Sequence, residues 1–153
     1  MTDIEIKKFA RSKTLNATVV LLAVLIILLL LGETSGDFAN GILFFMEAIA
    51  NIHTLIIVTI LFGLTYFFAG HAGQEIIIKR QNIFLISLKY VILISLTVSI
   101  YSMLIALSRQ NDLTISGLEN AMSLYFLPLF LKTGLSLLVV WLWATNKMKS
   151  VRA

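Results

Sequence analysis

Three residues invite a chemical reading because they are ionisable in apolar surroundings: Glu47, His53 and Lys132. A carboxylate, an imidazole and an ammonium brought to one depth of a bilayer would form an ion-pairing or proton-relay cluster. Unpaired, a lysine at the centre of a membrane helix costs about 2.5 to 3.5 kcal/mol on insertion scales. Lys132 lies inside LPLFLKTGLSLLVVWLWATNK, a run otherwise suited to hydrocarbon.

Three environments compete for its charge. The stem can snorkel to the interface, helped by a helix distortion at Pro128. The ammonium can pair inside the bundle with Glu47 or His53, whose depths on the second span suit it. Or it can serve as a working charge, for an anion or for a buried acid of a partner protein. The expectation taken forward is that Lys132 faces protein rather than lipid. Glu119 is too far along the same helix, about 20 Å at 1.5 Å per residue.

Ser95, Ser99 and Ser102 form a second pattern. Spacings of four and three put them on one helix face, where small hydroxyl residues allow close helix approach and hydrogen bonds. The alternative is a polar path through an oligomer. His53 and His71 belong to opposite ends of one span and cannot share a metal. GHAGQE, residues 70–75, has two glycines but no phosphate-loop spacing; it reads as a helix end at Gly70 followed by a tight turn. Nucleophile-elbow, zinc-protease and Walker motifs are missing. No metal or cofactor is expected.

These residues are positioned by elements that composition makes plain. Of 153 residues, 59% are hydrophobic and 13% charged, with no cysteine and a mean hydropathy of +0.96. A soluble domain of this size carries far more charge, so the class is all-α integral membrane. Four segments satisfy the requirement of about 20 apolar residues per span: approximately 14–32, 50–70, 82–108 and 123–146, in one membrane domain covering 1–153. Residues 41–53 read either as an interfacial helix or as an extension of the second span. A cleaved signal peptide is disfavoured for the first segment, because the apolar run is long and GETSGD offers a poor cleavage site.

Lys and Arg fall in the N-terminal tail, in the 79–80 connector and in the C-terminal tail, whereas the other two loops hold a single basic residue, Arg109, beside Glu33, Asp37, Glu47, Asp112 and Glu119. The positive-inside rule then gives a four-helix antiparallel bundle that is N-in/C-in. A bacterial inner membrane is the expected location. The basic flanks explain a pI near 9.5 through anionic lipid, without nucleic acid. Trp141 and Trp143 read as the cytoplasmic aromatic belt and Tyr125 as the opposite one. Lys89, within two turns of the basic end, is expected to snorkel. The expected partners are the bilayer and other membrane subunits, or further copies of the chain. The function class follows as a non-enzymatic interaction protein, a small subunit or regulator of a secretion or transfer assembly or an immunity or exclusion factor. The alternative is a small oligomeric channel or transporter.

Overall fold

The computed structural model describes residues 2–32, 42, 46, 47, 50–110 and 114–149, with the side chains of 25, 28–32, 110 and 149 outside that description. The choice between an interfacial helix and a span extension for 41–53 lies largely outside these residues. All described elements are helical: α1 (Asp3–Gly32), α2 (Ile52–Ile77), α3 (Ile83–Gln110), α4 (Ile115–Ala121), a π-helical turn (Met122–Phe126) and α5 (Leu127–Lys149). Among the described residues, Ile52–Ile77, Ile83–Arg109 and Ile115–Met148 are long and apolar enough to cross a membrane. The aliphatic run expected to make the remaining span forms the C-terminal half of α1.

Each helix begins or ends for a local reason. Thr2 and Glu5 cap α1 reciprocally: the Thr2 N–H donates to Glu5 Oε2 at 2.7 Å and the Glu5 N–H to Thr2 Oγ1 at 3.4 Å. The backbone N–H and then the hydroxyl of Thr2 hold the Glu5 carboxyl below its ordinary pKa. Asn51 caps α2 through the His53 N–H, Asn82 accepts from the Phe84 N–H at 2.9 Å where α3 begins, and Thr114 caps α4. Between α2 and α3 the chain turns through Arg80, whose φ of 53° is left-handed.

Two boundaries differ from the sequence expectation. The second span does not end at Gly70; α2 continues through HAGQEII to Ile77, and Ile76 is fully buried. Gly70 and Gly73 are helix-interior contact points, so the turn shrinks to the residues after Ile77. The last long apolar helix, expected from residue 123, starts earlier, because α4, the π turn and α5 join without a break. The Leu127 N–H donates to the Met122 carbonyl, five residues back. Pro128 follows at once; its ring would crowd a regular α turn and it has no N–H to donate, so the wider π turn sits where the α ladder is weakest.

The core gathers toward one end. Ala10 of α1, Ala72 and Ile76 of α2, Tyr90, Val91 and Ile94 of α3, and Leu137, Trp141 and Met148 of α5 form one buried cluster. Phe68 stacks on Tyr90 at 5.1 Å between ring centroids, and Tyr90 meets Trp141 at 5.9 Å. Trp141 is therefore not a belt residue: it is 0% exposed, whereas Trp143, two residues on, is 52% exposed and lies under the Lys147 ammonium at 3.8 Å. Two residues of α-helix turn the side chain by more than half a circle, so only one of the pair can face outward. The start of α1, the α2–α3 turn and the end of α5 share this end, which carries most of the basic residues. We call it the basic end.

Candidate functional site

The residues singled out from sequence do not converge on one place. Ser95 and Ser99 are both fully buried. Ser95 faces α5, where a Cβ on Gly134 would lie 3.5 Å from its Oγ. Their hydroxyls have no partner among the described residues. Ser102 is half-buried and lines a cleft instead.

That cleft, about 220 Å³, opens at the end opposite the basic one and is lined by Asn51, His53, Thr54, Ser102, Arg109 and Tyr125 among others. The N-terminus of α2, the C-terminal turn of α3 and the π turn meet there. His53 Nδ1 lies 3.4 Å from the Tyr101 hydroxyl, a long and weak hydrogen bond. Glu47, one helical turn before α2, accepts the Asn51 N–H through its carbonyl at 3.1 Å, and its side chain is exposed. Sequence reasoning picked His53 and set Tyr125 at this end as an aromatic-belt residue, but did not join either to Arg109 in one cleft; the shared position at the polar ends of the apolar runs was the available signal.

Lys132 is elsewhere. Its side chain is exposed and carries no hydrogen bond, ion pair or ring contact among the described residues. Within one copy of the chain it does not face protein, contrary to the expectation. The cause is helical phase: Lys132 precedes the buried Trp141 by nine residues, which is 2.5 turns at about 3.6 residues per turn, so the two project from opposite faces of α5.

Its height follows from the register of α5 against α3. Ser87 and Thr145 share a hydrogen bond of 3.1 Å, Tyr90 meets Trp141, and Ser95 faces Gly134. Continuing this antiparallel register by two residues from Ser95 and Gly134 sets Lys132 level with Thr97 of α3. Residues 90–108 of α3 contain no Asp, Glu, Lys or Arg, and Lys132 stands near their midpoint. Lys89 on one side and Arg109 on the other are about 12 Å and about 18 Å away along the axis, 8 and 12 residues at about 1.5 Å each.

Lys89 itself does not simply snorkel. Its Nζ donates to both Glu75 carboxylate oxygens, at 3.1 and 3.3 Å, linking α3 to the last turns of α2, and lies 4.7 Å from the Tyr90 ring centroid.

A close helix approach at Gly70 and Gly73 was misread from sequence as a helix end. Ala69, Gly70, Ala72 and Gly73 are all buried. A Cβ on Gly73 would overlap that of Ala10, and one on Gly70 would come within 3.0 Å of Arg11 Nε. The Arg11 guanidinium covers the Tyr66 ring at 4.3 Å, with Nη1 donating to the Tyr66 hydroxyl at 3.2 Å. The spacing of alanine and glycine in AGHAG was the available signal for a helix–helix contact. Ser87, eight residues before Ser95 on the same face, was likewise available and unused.

Among the described residues, no three His, Asp or Glu side chains lie close enough to hold a metal ion. Chemically, the arrangement offers a polar cleft at one end and a solitary cation at mid-height on the outer surface. No family model, no curated protein and no solved structure matches this chain.

Proposed function

We propose that this chain is a non-enzymatic membrane protein that works by protein–protein interaction, as a small subunit or regulator of a larger membrane assembly. Secretion or transfer complexes and immunity or exclusion factors are assemblies of the right kind. In this reading α1, α2, α3 and the α4–α5 unit are four antiparallel spans of a bacterial inner membrane, with both termini in the cytoplasm beside anionic lipid.

The observation that carries the proposal is Lys132: exposed, unpartnered among the described residues and midway along apolar helices. Hydrocarbon is a poor final environment for such a charge, and a protein neighbour is a good one. The channel alternative draws on Ser102 and the cleft beside it, but the buried Ser95 and Ser99 fit helix contact better than a wetted path.

Extraction of the native protein in mild detergent, followed by native mass measurement, tests this reading. The expected result is a hetero-assembly of fixed composition. A closed ring of identical copies would favour the channel, and a lone chain would remove the subunit reading. Tags on Met1 and Ala153 should report the cytoplasm and labels at Gly36 and Asn111 the outside; an external terminus would sink the four-span arrangement.

A further inference from the structure

We infer that the outer face of α5 around Lys132 is the docking surface for a transmembrane helix of another protein carrying an aspartate or glutamate near the middle of the bilayer. This rests on the subunit reading above and specifies its partner.

The first support is position. Lys132 projects from the face of α5 opposite Trp141, flanked by Leu131, Leu135 and Val139, which are 51%, 65% and 69% exposed. This apolar stripe can lie along a second helix over several turns, with the ammonium at its centre. Four methylenes cannot carry that ammonium across the about 12 Å to the nearer polar boundary or the about 18 Å to the farther one, so snorkelling leaves it in hydrocarbon or requires the bilayer to thin.

Charge complementarity then selects the occupant. An ammonium in low dielectric is best met by a carboxyl group, as an ion pair or as a hydrogen-bonded acid. A second copy of this chain cannot supply one at that height. All eight acidic residues lie outside 14–32, 52–74, 82–110 and 120–149. The Glu75 carboxylate is held by Lys89 at the basic end. Two copies meeting through this stripe would bring lysine against lysine. A headgroup phosphate belongs to the boundary planes, not to mid-height.

The test uses the purified full-length chain, donor-labelled, in phosphatidylcholine vesicles. The probes are acceptor-labelled polyleucine transmembrane peptides carrying one central glutamate, glutamine or leucine. Energy transfer reads association. The glutamate peptide is expected to bind about 5- to 30-fold more tightly than the leucine peptide, the range for a polar contact of 1 to 2 kcal/mol between membrane helices. Lys132→Met should reduce that preference to within about twofold, and Lys132→Glu should move it to a fourth peptide of the same design carrying one central lysine. Both changes alter a surface side chain, so the Phe68–Tyr90–Trp141 core should survive; unchanged near-ultraviolet circular dichroism checks this.

Equal binding of all three peptides would overturn the inference, as would a glutamate preference that survives Lys132→Met. Transfer between two labelled copies of the chain that Lys132→Met abolishes would place a self-contact there and also overturn it. A native hetero-assembly that Lys132→Met leaves intact would defeat this docking site and spare the subunit reading. A lone chain in native membranes would defeat the subunit reading first.

Discussion

The basic-end corner and the outer face of α5 hold the same kinds of residue in opposite circumstances. At the corner, Trp141 is fully buried against Tyr90, and Lys89 is tied to Glu75. On the outer face, Trp143 is half exposed, and Lys132 has no partner among the described residues. Sequence suggests the reverse for the lysines: Lys89, near a helix end, reads as free to snorkel, and Lys132, at mid-span, reads as paired inside. Position along the helix does not separate the two outcomes. Azimuth decided the outcome, and azimuth depends on which residues form the core.

The sharpest way to break this contrast is to truncate both tryptophans. Trp141→Ala is expected to destabilise the bundle by about 3 kcal/mol. That is the lower end of the range for a buried tryptophan, since in a bilayer the vacated space loses contacts while the transfer contribution shrinks. Trp143→Ala should cost less than about 0.5 kcal/mol, as for most surface changes. Reversible unfolding in mixed micelles measures both. Similar losses at the two positions would show that the faces of α5 are not inequivalent.

Next in size is the close contact at the same corner. Gly73→Ala places a methyl where the Ala10 methyl already lies, and should cost about 1 to 3 kcal/mol through overpacking. Gly63 is the internal control, also in α2 and with nothing within 4 Å of a new Cβ. There the same change should be neutral or stabilise by up to about 1 kcal/mol through helix propensity alone. Equal effects would dissociate α1 from α2 at Gly73.

These contrasts show what was legible. The apolar runs and the basic flanks followed from composition and length, because hydrocarbon thickness fixes helix length with little regard to neighbours. The Ser95–Ser99 face was legible because spacing of four survives any choice of partner helix. The ends of α2 and α5 were not, for a related reason. Glycine reads as a helix stop when only local conformation is weighed, yet in AGHAG the missing Cβ admits α1 instead. Pro128 suggested a distortion, and a π turn is what precedes it. Lys132 was misassigned because its phase was judged without knowing that Trp141 defines the inner face.

The smallest expected effect sharpens the comparison most narrowly. Glu75 and Lys89 join α2 to α3 with a two-oxygen contact, but the lysine side chain is 51% exposed, and the glutamate 18%. Water and headgroups at the helix ends screen such a pair, so its coupling should be about 0.2 to 1 kcal/mol. A double-mutant cycle with Lys89→Met and Glu75→Gln isolates that value, because each single change leaves a partner that can still reach solvent. Running the same cycle with Lys132→Met in place of Lys89→Met should give no coupling to Glu75, since Lys132 lies about 12 Å further along the bundle than Lys89 in register and projects from the outer face of α5. Lys132→Met alone should leave the isolated chain as stable or slightly more so, because it removes an unpaired charge from the apolar surface. Measurable coupling between Lys132 and Glu75 would mean that the two lysines share one electrostatic environment, and the contrast between corner and outer face would fall.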